Sequence, residues 1–299
     1  MQTLIQSNHY GMGFRYLFLF LAVVARPYIS EPASGIIPNN SQAKLPDTET
    51  SLVYKHVDST DLKLYVYYPE EKAYDEPHAA IVFFFGGGWN RSNITQFEPH
   101  ALHFASRGMV SILAEYRVRD LHGTTPFDAV SDAKSAFRYL RQNAEALGID
   151  PGRIAGAGGS AGGHIAAAAA MVPGLDDPSD DMSISPGPDA LVLFNPVFDN
   201  GPEGYGFERI GDRYREISPI HNIRPGNPPT IVFLGTNDRL IPVSTAEKFR
   251  DKMIAAGNVC ELLLYEGEGH GFFNYRHAAN YAETLKEAQR FLISLGYID

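Results

Sequence analysis

The sequence has one cysteine and fewer basic than acidic residues. Its 299 residues contain Cys260 alone, and 25 lysines and arginines stand against 35 aspartates and glutamates, a formal net charge of −10. A single cysteine excludes an internal disulfide and a zinc cluster built on cysteines. The basic residues form no stripe, so we expect no nucleic-acid partner. The net negative charge predicts repulsion of anionic polysaccharide.

The N-terminal apolar run is too short to cross a bilayer. It reads YLFLFLAVVA at Tyr16–Ala25, ten residues, whereas a membrane-spanning helix needs about 20. A preceding arginine and two alanines suited to cleavage are typical of a secretory signal peptide. We therefore predict a signal peptide at 1–25, a linker rich in Pro, Ser and Asn at 26–48, and a secreted or periplasmic bacterial protein without a membrane span after signal removal. A membrane anchor or a loose N-terminal helix is the alternative.

The rest of the chain alternates apolar segments of strand length with helical patterns. Strands are predicted at Leu52–Val57, Leu62–Tyr68, Ala79–Phe85, Met109–Tyr116, Arg153–Ala157, Ala190–Phe194, Thr230–Leu234 and Cys260–Tyr265. Helices are predicted at Phe127–Leu147, Val243–Ala256 and Ala278–Leu295. This alternation predicts an α/β domain at 49–299, with a mostly parallel eight-stranded sheet and helices on both faces.

Two segments follow neither pattern. Pro173–Pro188 is acidic and rich in proline, and Phe198–Pro229 is about 30 residues long and carries aromatic residues. Long connections of the second kind often cover a functional site. We therefore predict a short cover segment at about 198–229.

A serine lies in a glycine-rich turn between a predicted strand and an alanine-rich helix. The turn reads GGSAG at 158–162, which matches G-x-S-x-G in the strand–turn–helix context of a nucleophile elbow. The helix dipole and free N–H groups beside Ser160 favour developing negative charge. We predict Ser160 as a nucleophile. The alternatives are a turn capped by the serine or a phosphate loop, although a Walker-type loop has lysine where His164 stands.

Three consecutive glycines end the third predicted strand, in the sequence FFFGGGW at 83–89. Glycines let the backbone curl back and expose N–H groups. Together with the N–H of Ala161, such donors form an oxyanion hole for a tetrahedral intermediate. A simple flexible turn is the alternative.

Ten histidines are available as a base for the serine. His100 and His103 are three residues apart on a helical pattern, and we interpret them as an exposed face. His270 lies in GEGHGF at 267–272, a loop between the last predicted strand and the last predicted helix. Loops at the carboxyl ends of parallel strands carry the sites of open α/β sheets, so we predict His270 as the base.

The acid that orients the base is expected in another such loop. Asp238 lies in GTNDRLIP at 235–242, directly after the seventh predicted strand. The order serine, aspartate, histidine is typical of the α/β-hydrolase arrangement. Glu266 and Glu268 compete for the role, but their closeness to His270 in sequence makes the required geometry less favourable.

Together these motifs resemble a known family. The motifs are GGGW, DAKSAFRYLRQNAEALGIDPGRI, GGSAGGH, GTNDRLIPV and EGEGHGFF. In this order and strand context the chain resembles an α/β-hydrolase esterase over about residues 50–299. It is similar to the hormone-sensitive-lipase-like and acetyl esterase/lipase family, in its secreted bacterial branch.

The resemblance implies specific roles. It implies a catalytic triad of Ser160, Asp238 and His270. It also implies oxyanion donors at the N–H groups of three residues, Gly87, Gly88 and Ala161. The family usually has histidine before the glycines, where this chain has Phe85, and that difference bears on the orientation of the loop.

The implied activity is that of a serine carboxylesterase acting on short-chain acyl esters through an acyl-enzyme. Carbohydrate esters that carry acetyl or feruloyl groups are candidate substrates, and Trp89, Tyr205 and Phe272 are candidate substrate-binding residues, with packing as the alternative. We expect no metal or organic cofactor. The alternatives are a serine amidase, peptidase or arylformamidase on the same fold, and a non-catalytic binding protein.

Overall fold

A computed structural model describes residues 50–69 and 76–299. The predicted signal peptide at 1–25 and linker at 26–48 therefore lie outside the described residues. Within the described part of the chain, no helix has both the length and the apolar character needed to cross a membrane.

Eight strands form one sheet. They are β1 (Thr50–Val57), β2 (Thr60–Tyr67), β3 (His78–Phe84), β4 (Val110–Ala114), β5 (Ile149–Gly159), β6 (Ala190–Phe194), β7 (Thr230–Gly235) and β8 (Cys260–Tyr265). Their order is β1-β2-β4-β3-β5-β6-β7-β8. The first two strands pair antiparallel and β2 also pairs antiparallel with β4, whereas β4 through β8 are parallel. The predicted mostly parallel sheet is confirmed.

Helices cover both faces of this sheet. They are α1 (Glu98–Ser106), α2 (Arg119–His122), α3 (Pro126–Gln142), α4 (Ala144–Leu147), α5 (Ala161–Met171), α6 (Phe207–Ile210), α7 (Val243–Ala255) and α8 (Ala278–Ser294). The side chains of α1 and α8 pack in one core, and those of α3, α5 and α7 pack in the other. The helix predicted at Phe127–Leu147 is divided, because Asn143 ends α3 and begins α4.

The central strands are buried on both faces, which explains their continuous apolar sequences. Successive side chains of a strand point to opposite faces. In β3, accordingly, the even-numbered residues join the core beneath α3 and α5, and the odd-numbered residues join the core beneath α1 and α8. The first helix after the elbow, α5, is buried on almost every side, which accounts for its run of alanines.

A charged network joins β1 and α3 to the acidic segment at 173–188. Its members are Lys55, Arg117, Asp132, Lys134, Arg138, Asp176, Asp177 and Asp180. At its centre, the buried Asp132 carboxylate lies 2.8 Å from Lys55 Nζ and accepts hydrogen bonds from the Arg117 guanidinium. Ion pairs and backbone contacts thus fix a segment that forms neither helix nor strand.

The segment at 198–229 contains α6 and two short 3-10 helices, Gly211–Glu216 and Pro219–His221. It is packed onto the domain, because the Phe198 ring stacks on Phe249 with centroids 3.6 Å apart. The predicted cover segment is therefore a well-packed insertion.

Candidate active site

The turn between β5 and α5 holds Ser160 in a strained conformation. Ser160 has φ = 54°, a backbone conformation that residues other than glycine seldom adopt, and its N–H donates to the Phe194 carbonyl at 2.9 Å. Gly162, in the first turn of α5, allows close approach to β3, since a Cβ added there would lie 2.0 Å from the Phe84 carbonyl oxygen. The absence of a side chain at Gly162 therefore lets α5 begin directly against the end of β3.

The structure pairs His270 with Asp238. His270 Nδ1 lies 2.7 Å from Asp238 Oδ2, and Asp238 Oδ1 accepts the backbone N–H groups of Leu240 and Ile241. Burial alone raises the pKa of Asp238, but the hydrogen bond from His270 and those from the backbone outweigh it and keep the pKa below its ordinary value. The carboxylate is thus ionised and oriented toward His270.

The two competing glutamates do not take this place. Glu266 is exposed, and Glu268 is only half-buried. Since His270 Nδ1 is directed at Asp238 Oδ2, the geometry favours Asp238 over both glutamates as the partner of the histidine.

The other nitrogen of His270 faces a residue that the sequence did not single out. His270 Nε2 lies 3.4 Å from Asn195 Nδ2, while Asn195 Oδ1 accepts the Gly271 N–H at 2.9 Å. Asn195 follows β6 directly, is buried, and has φ = 35°. Like Asp238, Asn195 comes shortly after a buried strand, and this is the sequence feature by which it could have been predicted. Among the described residues, Ser160 Oγ makes no hydrogen bond; such contacts often form only when substrate binds.

The glycine loop after β3 presents free N–H groups. Gly87 and Gly88 have φ values of 143° and 61°, and a Cβ added at Gly87 would lie 2.3 Å from the Arg91 carbonyl oxygen. Within the described residues, the N–H groups of Gly87, Gly88 and Ala161 have no protein acceptor. They are therefore available to a ligand.

Phe85 stands where the family that the sequence resembles usually has histidine. Its contacts with Tyr116 fix the glycine loop. Its ring stacks on Tyr116 with centroids 4.2 Å apart, and the Tyr116 hydroxyl donates to the Phe85 carbonyl at 2.7 Å. Burial raises the pKa of Tyr116, so the hydroxyl remains a donor. The substitution thus leaves the loop anchored by stacking and a backbone hydrogen bond.

A chain of neutral amides connects the glycine loop to the histidine loop. The Gly86 N–H donates to Gln96 Oε1 at 2.6 Å, and Gln96 Nε2 donates to Asn274 Oδ1 at 2.9 Å. Asn274 Nδ2 then donates to the Gly271 carbonyl at 2.7 Å. We call Gln96, Asn195 and Asn274 the amide network. The sequence carries no signal for Gln96, because amide side chains are common in loops.

Ser160, His270, the glycine loop and the amide network line one cavity of about 720 Å³. Its lining combines polar side chains with apolar surface and comprises Gly86, Gly87, Gly88, Asn90, Arg91, Ser92, Asn93, Gln96, Arg119, Asp120, Ser160, Asn195, Tyr205, Leu240, His270, Gly271, Phe273, Asn274 and Arg276. The structure therefore brings the predicted serine, histidine and glycines to one place.

Two of the three candidate substrate-binding aromatics lie elsewhere. Trp89 is 1% exposed and packs against His164, and Phe272 is 2% exposed and packs against Tyr265. Neither lines the cavity, and their burial favours the packing alternative over a role in substrate binding. Tyr205 does line the cavity, and Phe273 occupies the place expected of Phe272.

Two other histidines are buried and neutral. His164 Nε2 is within hydrogen-bond distance of Asn200 and the Ile217 carbonyl, and burial lowers its pKa to about 4. His100 is fully buried among aromatic rings, and burial lowers its pKa to about 3. The exposed face predicted for His100 is therefore wrong; it packs beneath the sheet on α1.

Comparisons with protein families divide the chain at residue 188. The BD-FAE family matches residues 64–188, and the Prolyl oligopeptidase family matches residues 188–294. The first match contains Ser160 and the glycine loop, and the second contains Asp238 and His270.

Curated relatives are esterases by name. Esterase LipC of Mycobacterium tuberculosis is 30% identical over 220 residues, 66% of this chain and 54% of that protein. An acetylxylan esterase of Xylanibacter ruminicola is 27% identical over 209 residues, 64% of this chain and 41% of that protein. The chain thus spans about half the length of these curated relatives.

A solved structure gives a more complete match. Esterase 2 of Thermogutta terrifontis, phosphoramylated by tabun, is 47% identical with a TM-score of 0.80 and covers 83% of this chain and 95% of its own. The same esterase with propionate bound is 45% identical with a TM-score of 0.81, covering 85% and 97%. The α/β-hydrolase fold is confirmed.

Proposed function

The chain belongs to the α/β-hydrolase esterases, and from that premise we propose that it is a serine carboxylesterase that hydrolyses short-chain acyl esters through an acyl-enzyme. The observation that carries the proposal is the shared cavity. It holds a serine in a strained turn, a histidine paired with a buried carboxylate, and a glycine loop with free N–H groups.

In the proposed acylation, Ser160 Oγ attacks the ester carbonyl carbon while His270 Nε2 takes the hydroxyl proton. Asp238 holds the proton on Nδ1 and stabilises the positive charge that forms on the ring. The N–H groups of Gly87, Gly88 and Ala161 bind the oxyanion of the tetrahedral intermediate. The intermediate collapses, the ester C–O bond breaks, and the alcohol leaves with the proton from Nε2.

Deacylation repeats these steps with water. His270 Nε2 takes a proton from the water as its oxygen attacks the acyl carbon, and the same donors bind the second oxyanion. The Ser160 ester bond then breaks, and the serine recovers its proton from His270. In the resting state Nε2 lies near the Asn195 amide, so substrate entry must bring the serine hydroxyl to this nitrogen.

The cavity and the relatives support a short acyl group on a polar alcohol. Among the large apolar side chains of the lining are Tyr205, Leu240 and Phe273, and most other lining groups are polar. Structures of Thermogutta terrifontis esterase 2 contain propionate or butyrate. The acetylxylan esterase relative supports acetylated carbohydrate, and the two aromatic rings are compatible with a feruloyl group.

The serine assignment is tested with Ser160→Ala and a matched control, Ser106→Ala, at an exposed serine on α1. We expect p-nitrophenyl acetate hydrolysis to fall by about 10⁴-fold or more in the first variant and to remain normal in the second. A fluorophosphonate should label Ser160 in the wild type. Full activity of Ser160→Ala, or labelling of another residue, contradicts the proposal.

The substrate assignment is tested with a series of acyl lengths. We expect the highest kcat/KM on p-nitrophenyl esters of two to four carbons, and release of acetate from acetylated xylan or of ferulate from methyl ferulate. The prolyl oligopeptidase match supports a peptidase alternative. Turnover of acyl-peptides or N-formylkynurenine without turnover of any ester decides for that alternative.

We also propose that the protein is exported, because a basic residue precedes a ten-residue apolar run that ends at Ala25. N-terminal sequencing of protein recovered from the envelope or medium should give a chain that begins within or just after this run. Recovery of the intact N-terminus from the cytoplasm contradicts it.

A further inference from the structure

Three arginines contribute to the exposed part of the cavity lining. Arg91, Arg119 and Arg276 line the cavity together with Ser160 and His270 and are exposed to solvent. We call these three residues the arginine rim. With Asp120 as the carboxylate of the lining, the lining has a formal charge of +2 at neutral pH. The chain as a whole has a net charge of −10, so the formal charge of the lining is opposite in sign to that of the whole chain.

The positive charge of the rim is incompletely neutralised. The Asp120 carboxylate forms ion pairs with two arginines, at 3.1 Å from Arg119 Nη2 and 3.9 Å from Arg91 Nε. Arg276 Nε donates to the imidazole of His277 at 3.1 Å, and within the described residues it has no carboxylate within ion-pair distance. At least one guanidinium is therefore free to bind an anion.

The polar groups beside the rim complement such an anion. Asn90, Ser92 and Asn93 line the same cavity next to Arg91. Amide and hydroxyl groups donate hydrogen bonds to carboxylate or sulfate oxygens, and guanidinium groups bind carboxylates through two parallel hydrogen bonds. A cleft lined by one sign of charge also raises the local concentration of ligands with the opposite charge.

We propose that the arginine rim selects esters that carry a second, anionic group, so that the preferred substrate class is acylated acidic carbohydrate or a half-ester of similar charge. This inference rests on the proposed esterase function. It also corrects the expectation that the net charge repels anionic polysaccharide, because the field at the cavity is set by nearby charges and the distant ones are screened within about 10 Å at 0.1 M salt.

The test compares pairs of substrates that differ in charge and are similar in size. On the acyl side the pair is p-nitrophenyl valerate and p-nitrophenyl hydrogen glutarate; on the alcohol side it is acetylated glucose and acetylated glucuronic acid. Each exposed ion pair is worth at most about fivefold. We therefore expect kcat/KM for the anionic member of at least one pair to exceed that of the neutral member by about 10-fold at low salt.

Variants of the arginine rim test whether these residues cause the preference for the anionic substrate. In Arg276→Gln and Arg91→Gln the anionic-to-neutral ratio should fall several-fold, and 0.5 M NaCl should reduce it in the wild type. Arg107→Gln removes an exposed arginine that does not line this cavity, so it should leave the ratio unchanged. Hydrolysis of neutral esters with no anionic preference in either pair overturns the inference alone, whereas hydrolysis of no ester at all overturns the proposed function.

Discussion

The amide network and the charged network both fix loops that have no regular structure, but they use different kinds of side chain. The amide network joins the glycine loop to the histidine loop through neutral side chains. The charged network holds the segment at 173–188 through buried lysines and a buried arginine that pair with half-buried aspartates of the segment.

The difference follows from what lies beside each network. A buried formal charge shifts the proton affinity of its neighbours, whereas a neutral amide shifts it far less. Near His270, neutral amides orient loops and leave Asp238 as the ionised partner of the base. Along α3 no proton transfer is proposed, so formal charges are tolerated there. We therefore expect changes in the amide network to affect catalysis and changes in the charged network to affect stability.

The largest expected effect concerns the ionised partner of His270. In Asp238→Asn the carboxylate that holds the Nδ1 proton is lost, so the ring no longer presents its basic nitrogen to Ser160. We expect kcat to fall by about 10⁴-fold, measured on p-nitrophenyl acetate at saturating substrate. Glu268→Gln is the matched control, because that glutamate is the competing acid, and a loss there comparable to that in Asp238→Asn reverses the assignment.

The charged network should give a large effect on folding without one on chemistry. In Asp132→Asn, Lys55 and Arg117 lose a buried counter-charge at 2.8 and 2.7 Å. Removing one partner from a buried ion pair costs about 3–5 kcal/mol, so the urea midpoint should fall steeply while kcat of the folded fraction is preserved. Glu216→Gln, in an exposed pair with Arg213, should change the midpoint little. Equal midpoints for the two variants contradict the contrast.

Some parts of the fold and of the site could be predicted from the sequence, and others could not. Within the described residues, the predicted apolar segments overlap all eight strands. Six of these, β3 to β8, form parallel pairs, and buried parallel strands need nearly continuous apolar residues. Asp238 and His270, which the structure pairs, were predicted because they follow strands in glycine-rich loops. Trp89 was predicted as a candidate substrate-binding residue, but it is buried and packs so close to Gly206 that a Cβ there would lie 2.9 Å from the indole. That contact joins residues more than 100 positions apart, and no local pattern encodes it.

Gln96 was missed for the same reason, and its replacement tests the amide side of the comparison. Gln96→Leu removes the acceptor for the Gly86 N–H and the donor to Asn274. We expect kcat to fall by about 10- to 100-fold, since small displacements of an active-site loop have effects of that size, with the urea midpoint nearly unchanged.

The coupling between the two loops can be measured directly. If Gln96 and Asn274 act as one connection, Gln96→Leu combined with Asn274→Leu should lower kcat by less than the product of the single effects. Gln289→Leu, which removes a similar amide from α8 where it bonds to His103, should leave kcat unchanged. Independent effects of the two changes would show that no connection passes between them.

The smallest effect at pH 7 concerns a polar group that belongs to neither network. Both ring nitrogens of His100 are buried without a hydrogen-bond partner within the described residues, and the ring lies 5.0 Å from Phe97 and 4.8 Å from Tyr281. His100→Phe removes these unsatisfied groups and should raise the free energy of unfolding by about 1 kcal/mol at pH 7. The control His103→Phe loses a hydrogen bond to Gln289 and should bring no gain.

The gain from His100→Phe should depend on pH with a definite sign. Burial lowers the pKa of His100 from 6.5 to about 3, so between these values the unfolded chain binds a proton that the folded chain does not. Stability of the wild type is therefore lost as the pH falls below 6.5. At pH 5 the advantage of His100→Phe should grow by about 2 kcal/mol, measured by urea unfolding. A constant difference between pH 7 and pH 5 would mean that His100 accepts its proton in the folded state, as a partnered histidine does, and that this core contains a polar contact.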